Sequence, residues 1–139
     1  MSGERVCVLS EYNRKSSAKS LIVYHLILVV KYRKPLLKKY GGQIKDYFYQ
    51  GAHDPDFDID ELEIDRDHIH LMVNSCPKLS PSQIVRRLKS RSTKMIWHDH
   101  PELDEHFWKK KIFWSSGYFC SSLGNASIAT INRYIETQG

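Results

Sequence analysis

The chain has 139 residues, of which 41% are hydrophobic and 27% charged, and its formal net charge is +5. This is enough chain for one domain with a real core, in proportions ordinary for a soluble globular protein. With no run of 18 apolar residues, a polar stretch at 1–19 in place of a signal peptide, and three scattered cysteines (Cys7, Cys76, Cys120) without a C-x-x-C spacing, the sequence argues against membrane insertion, secretion, a disulfide framework and a zinc knuckle.

The expected location is therefore cytoplasmic. Residues 1–19 read as a loosely held arm, and 20–139 as a single domain. From Ser20 to Arg33 a β-branched and aromatic run suits a long central strand. Its end, Lys31-Tyr32-Arg33, is either a solvated strand end or a phosphate contact with a stacking ring. Leu36 to about Gln50 carries apolar residues at helical spacing, although Gly41-Gly42 weakens the start. The ladder Asp54, Asp56, Asp58, Asp60 resembles a calcium loop only briefly, because Pro55 and Ile59 occupy the wrong places. Phe57–Ile64 reads as a strand whose parity shifts near Asp60-Glu61, which predicts a bulge. Asp65-Arg66 then makes a hairpin turn.

The next strand holds Asp67-His68-Ile69-His70-Leu71-Met72-Val73. Side chains alternate faces along a strand, so His68 and His70 share one face while Ile69, Leu71 and Val73 share the core face. Two adjacent imidazoles can hold a divalent ion, yet on a strand such a pair is more often simply hydrogen-bonded. Ser80-Pro81-Ser82-Gln83 predicts a capped helix running to about His98, with Ile84, Leu88, Met95 and Ile96 as its core stripe. Arg87, Arg91 and Lys94 repeat along one flank with no acidic residue between Ser80 and Trp97, which favours nucleic acid over a merely solvated face. His98-Asp99-His100 sits at the helix end and reads as a surface pair. Pro101–Lys111 reads as a linker or short helix and Ile112–Leu123 as a fourth strand bent at Gly117. A final helix is expected over Ala126–Gln138. There Ile128, Ile131 and Ile135 form the docking stripe, and Tyr134 and Gln138 are neighbours four residues apart.

The order strand, helix, strand, strand, helix, strand, plus one helix, is the α+β ferredoxin-like (RRM-like) βαββαβ sandwich. Helices would cover one face of its antiparallel sheet, leaving the histidine face open.

Three motifs in this order resemble a known family. Tyr24-His25-Leu26 with Lys31-Tyr32-Arg33, then Asp67-His68-Ile69-His70-Leu71, then Arg133-Tyr134-Ile135-Glu136-Thr137-Gln138 are similar to the motifs of the HUH single-strand endonucleases, specifically the single-tyrosine (TnpA-type) transposases of the smallest insertion sequences. The resemblance spans about residues 20 to 138. It implies a Mg2+ or Mn2+ ion on His68, His70 and Gln138, with Tyr134 as nucleophile. It further implies cutting and rejoining of single-stranded DNA through a 5′-phosphotyrosine. It also implies recognition of hairpins at element ends, which fits the reading of Lys31, Tyr32, Arg33, Arg87, Arg91 and Lys94 as DNA contacts, and a homodimer whose active sites can be completed in trans. No nucleotide cofactor is expected, and the sequence holds no P-loop. Other classes remain open on the residues alone. They are a domesticated relative acting on chromosomal repeats, a non-catalytic single-strand binder on the same fold, and a zinc hydrolase that would not need Tyr134.

Overall fold

The structure, a computed structural model, describes residues 22–51, 54–75, 78–107, 111–121 and 128–137. The expected arm at 1–19 lies outside them. Four antiparallel strands, β1 (Ile22–Val29), β2 (Phe57–Ile64), β3 (His68–Ser75) and β4 (Phe119–Ser121), form one sheet in the order β2-β3-β1-β4. Three helices accompany them: α1 (Leu37–Asp46), α2 (Pro81–Asp99) and α3 (Ile128–Thr137). This is the ferredoxin-like arrangement expected from the element order, with β3 and β1 as the two central strands.

β1 and β3 run side by side for their whole length, from Ile22↔Ser75 to Val29↔His68. One face of this pair supplies Tyr24, Leu26, Leu28, Ile69, Leu71 and Val73 to the main core. The helices seal that face with Leu37, Tyr40 and Ile44 of α1 and Ile84, Val85, Leu88, Ile96 and Trp97 of α2. α2 begins as predicted. Ser80 accepts from the Gln83 amide at 3.2 Å while the Gln83 side chain accepts from the Ser80 amide at 2.8 Å, closing a capping box. The predicted bulge is also present, as a register shift between Ile59 and Glu61 where β2 pairs with β3.

Four expectations are corrected. β1 stops at Val29, and Lys31–Arg33 is a tight 3-10 turn with left-handed backbone at Tyr32 (φ 62°) and Arg33 (φ 52°). The fourth strand is only three residues long; upstream of it, Trp114 touches Val30 through a single bridge and Phe113 and Trp114 fill the core. Met95, expected in the α2 stripe, is half-buried, while Val85, Ser92 and Trp97 are buried. The second sheet face is not wholly open, because Ile135 of α3 buries itself on Ile27 and Val29, with Phe119 and Tyr134 packed at the edge. The side chains of Ile128 and Ile131 lie outside the described residues. No helix among the described residues is long and apolar enough to cross a membrane.

The glycine pair in α1 has two different environments. A Cβ on Gly41 would sit 3.1 Å from Ile64 Cγ2, whereas one on Gly42 would meet nothing within 4 Å. Gly42→Ala should therefore stabilise the protein by about 0.5–1 kcal/mol by removing helix-interior backbone freedom. Gly41→Ala should be destabilising, since it displaces a stiff β-branched neighbour. Urea unfolding of the two variants would show whether their shifts have opposite signs.

Candidate active site and nucleic-acid surface

Residues paired across antiparallel strands point to the same face. Val29 pairs with His68 and Ile27 with His70, so both histidines project from the face on which α3 rests. His68 is held in place: its Nδ1 lies 2.9 Å from Asp67 Oδ1, and Asp67 is only 5% exposed. A carboxylate on one ring nitrogen fixes the tautomer and orientation of the other, the arrangement found behind metal-binding histidines. His70 meets a third histidine, with its Nε2 3.4 Å from His25 Nδ1 and the ring centroids 5.5 Å apart. Burial, and then the neighbouring His25, lower the pKa of His70 below the usual value, which favours the neutral form that a metal requires.

His25 and Asp67 were not singled out as site residues from the sequence. His25 follows from strand parity only once the β1–β3 register is known, because it stands two residues from Ile27, the partner of His70. Asp67 precedes the strand and its role depends on the turn geometry that folds its carboxylate onto His68.

Tyr134 sits half-buried on the same sheet face, its ring 5.8 Å from that of Phe119. Its hydroxyl is buried and has no hydrogen-bond partner among the described residues. Burial, and secondarily Tyr118, pushes its pKa up to about 12. An unpaired buried hydroxyl costs about 1–3 kcal/mol, a cost that an arriving polar group would relieve. Gln138, the expected third metal ligand, lies outside the described residues. Within them no three His, Cys, Asp or Glu side chains converge as a metal site. The two histidines nevertheless suit a divalent ion: they are adjacent on one face, one is oriented by a carboxylate, and one is biased to neutrality.

The cations of α2 divide into two groups. Arg87 Nη1 lies 3.0 Å from both oxygens of Asp54 and 3.0 Å from Asp56 Oδ2. Arg91 Nη1 lies 2.7 Å from Asp54 Oδ2. Asp54 itself is 1% exposed. The acidic ladder thus faces the flank that the helical repeat marked for DNA, and Arg87 and Arg91 are engaged with it. On the opposite flank, Lys89 donates to the carbonyls of Ser115 and Gly117 at 2.7 and 2.9 Å, and burial pushes its pKa down to about 8. A groove of about 630 Å3 is lined by Lys31, Arg86, Lys89, Lys94 and Lys111, together with Ser90, Thr93 and an apolar wall of Ile112, Phe113 and Trp114. A second cleft, about 450 Å3, holds Tyr32, Arg33, Lys38, Arg66 and Asp67. Tyr32 is 47% exposed, and its ring is stacked on Phe107 with Lys31 Nζ 5.3 Å from its centre. The second histidine pair is on the surface only in part: His98 is exposed against Asp99, whereas the His100 side chain is 12% exposed, packed on the Tyr40 ring and in contact with Glu102.

Burial raises the pKa of Asp54, but the Asp56 amide, Arg87 and Arg91 outweigh it and the net shift is downward from 3.8. Its contribution to stability is therefore present above pH about 3.8 and is lost as pH falls through the lowered value. Asp54→Asn should cost about 2 kcal/mol at pH 7, below the usual figure for a broken buried pair because both arginines are about one-third exposed. It should also flatten the acid limb of the stability curve. Thermal melts from pH 7 to pH 3 would test both.

Residues 18–138 match the family described as transposase IS200 like. The chain is 29% identical over 116 residues to the ISDra2 transposase TnpA of Deinococcus radiodurans, covering 83% of this chain and 82% of that protein. It is 28% identical over 118 residues to the transposase for insertion sequence element IS200 of Salmonella typhimurium, covering 83% and 75%. Among solved structures it is similar to a Deinococcus radiodurans protein crystallised as a candidate transposase, with a TM-score of 0.67 and 25% identity over 85% of this chain and 91% of that one. It shares its fold with a REP-associated tyrosine transposase bound to a REP hairpin, with a TM-score of 0.53 and 13% identity over 83% and 62%. The fold, the histidine face and the family match over nearly the whole chain lead to one conclusion: this chain belongs to the IS200-like transposase family.

Proposed function

We propose that this transposase cuts and rejoins single-stranded DNA through a phosphotyrosine, with Tyr134 as nucleophile and His68 and His70 as ligands of a Mg2+ or Mn2+ ion. The observation that carries the reading is that Tyr134, its hydroxyl buried and without a partner among the described residues, docks on the sheet face from which both histidines project. Gln138, four residues beyond Tyr134 in the sequence, would be the third ligand by family resemblance. When bound, the ion would polarise the scissile phosphate and stabilise the leaving 3′ oxygen. Nitrogen donors with one amide oxygen suit manganese somewhat better than magnesium.

With its pKa pushed up to about 12, the Tyr134 phenol is protonated at neutral pH and is a weak nucleophile as it stands. It must give up its proton as its oxygen bonds to phosphorus. The P–O3′ bond then breaks, and the released 3′ oxygen takes a proton. The product is a 5′-phosphotyrosine ester and a free 3′-OH, which can reverse the step and join strands without ATP. Asp67 holds His68 in one orientation, and Tyr134 packs with Phe119, Ile27 and Val29 so that its hydroxyl is buried.

DNA contact is assigned to the groove rimmed by Lys31, Arg86, Lys94 and Lys111, and to the cleft around Tyr32, whose exposed ring offers a stacking surface. The relative whose structure holds a REP hairpin supports hairpin DNA as the ligand. Arg87 and Arg91 serve this surface less directly than their spacing suggests, because Asp54 and Asp56 already engage them. A homodimer is part of the same reading. In this chain α3 packs on its own sheet, so completion of a partner's site would require that helix to leave it.

Incubation with single-stranded hairpin DNA and Mn2+ should yield a denaturation-resistant protein–DNA adduct. Tyr134→Phe should abolish the adduct and the cut while keeping fold and DNA affinity. His68→Ala and His70→Ala should abolish both as well, and chelator should mimic them. An adduct formed by Tyr134→Phe would exclude this mechanism.

Binding should weaken with salt, and Lys94→Ala or Lys111→Ala should each lower the log–log slope by about 0.7. Arg87→Ala should chiefly lower stability. Anisotropy titrations from 50 to 200 mM salt would show equal slopes in all three variants if the groove plays no part. A strictly monomeric mass at micromolar concentration, with cleavage retained, would exclude the dimer.

A further inference from the structure

The turn between β1 and α1 is built against backbone preference. Tyr32 and Arg33 both occupy the left-handed region, and neither is a glycine. Such residues cost on the order of 1–2 kcal/mol each unless their surroundings hold them. Here the surroundings do so: Lys31 N donates to Phe113 O at 2.8 Å, Arg33 N to Val30 O at 2.8 Å, and Val30 N to Asp67 O at 2.9 Å. The result is that the Arg33 side chain turns back over the end of the sheet.

There it reaches two elements at once. Arg33 Nε lies 3.5 Å from Asp67 Oδ2, and Arg33 Nη1 lies 3.4 Å from the backbone oxygen of Glu136. The other oxygen of Asp67 is the one that holds His68 Nδ1. Glu136 stands two residues from Tyr134, in the last turn of α3, where backbone carbonyls have no intrahelical partner and carry partial negative charge. One planar guanidinium therefore meets the carboxylate behind a metal-binding histidine with one edge and the C-terminal turn of the tyrosine helix with another.

We propose that Arg33 is a positioning residue that couples the docking of α3 to the orientation of His68. This rests on the functional reading above. Its role is to present the nucleophile and the histidine in one fixed relation, and its donors are matched to both ends of that relation. Lysine would replace the charge without the fork, since an ammonium on a flexible stem cannot hold two acceptors in one plane. The coupling also makes α3 removable as a unit: release of the Glu136 carbonyl frees the last turn without disturbing β3.

The experiment uses the full-length protein without DNA, with two readouts. Titration calorimetry gives the Mn2+ dissociation constant, and hydrogen–deuterium exchange follows the amides of 133–137. Arg33→Gln should weaken Mn2+ binding about tenfold, the lower end of the loss expected for an outer-shell partner. It should also speed exchange in α3 about tenfold, the equivalent of one charge-assisted hydrogen bond. Arg33→Lys should leave Mn2+ affinity within about twofold, because a cation still faces Asp67, yet it should speed exchange as Arg33→Gln does. In cleavage assays both variants should lose kcat with little change in the KM for DNA. A phosphate contact alone would act in the opposite way, raising KM and lowering the salt slope while Mn2+ affinity and exchange stay at wild-type values. That pattern overturns the proposal, as does tighter Mn2+ binding in Arg33→Gln. Failure of the wild-type protein to bind Mn2+ would remove the metal reading itself. The exchange readout would then decide the coupling alone, and unchanged exchange in Arg33→Gln would end it.

Discussion

The pairing of β1 with β3 sets nearly everything else. With Leu28 opposite Ile69 and Leu26 opposite Leu71, one face of the two central strands is apolar up to Ser75 at its end, and both helices that follow them can close over it. The same register places Ile27 opposite His70 and Val29 opposite His68. A slip of β3 by one residue would turn both histidines into the core and Ile69, Leu71 and Val73 toward α3, so a packing error would also bury the histidine face. The hydrophobic effect on one side of the sheet thus fixes the positions of polar groups on the other.

Much of this was legible because period-two alternation is a local property. In Asp67–Val73 the parity of apolar and polar residues alone separates core from site, and the structure agrees residue by residue, with Ile69, Leu71 and Val73 at 0% exposure. The capping box at Ser80 and the bulge near Glu61 were legible for the same reason: each is defined by residues within a few positions of one another. What escaped the sequence depends on tertiary contact. His25 reaches His70 across 45 positions, and Asp54 meets Arg87 across 33. The fourth strand was overdrawn because aromatic residues favour strands and cores alike, and Phe113 and Trp114 serve the core.

The acidic ladder illustrates how a charge pattern changes meaning in context. Along the chain it is a string of carboxylates at alternate positions. In the fold its first member is buried and becomes the shared counter-ion of two arginines, tying the approach to β2 onto α2. The helical repeat of Arg87 and Arg91 is therefore partly an architectural feature. The cations around the groove come from three segments: Lys31 after β1, Arg86 and Lys94 on α2, and Lys111, which the helical repeat alone does not bring together.

The remaining carboxylates of that region, Asp58, Asp60, Glu61 and Glu63, are exposed along β2, which is an edge strand of the sheet. Edge strands are open to pairing with any extended chain, and a row of like charges discourages it. The row also gives the molecule a lopsided field, negative along this edge and positive around the groove at the end of β1. A polyanion diffusing in from any direction is turned away from one rim and drawn toward the other before a single contact forms. The edge that protects the protein from aggregation would thus also act as a rudder, orienting the encounter so that the first collision already tends to be the productive one.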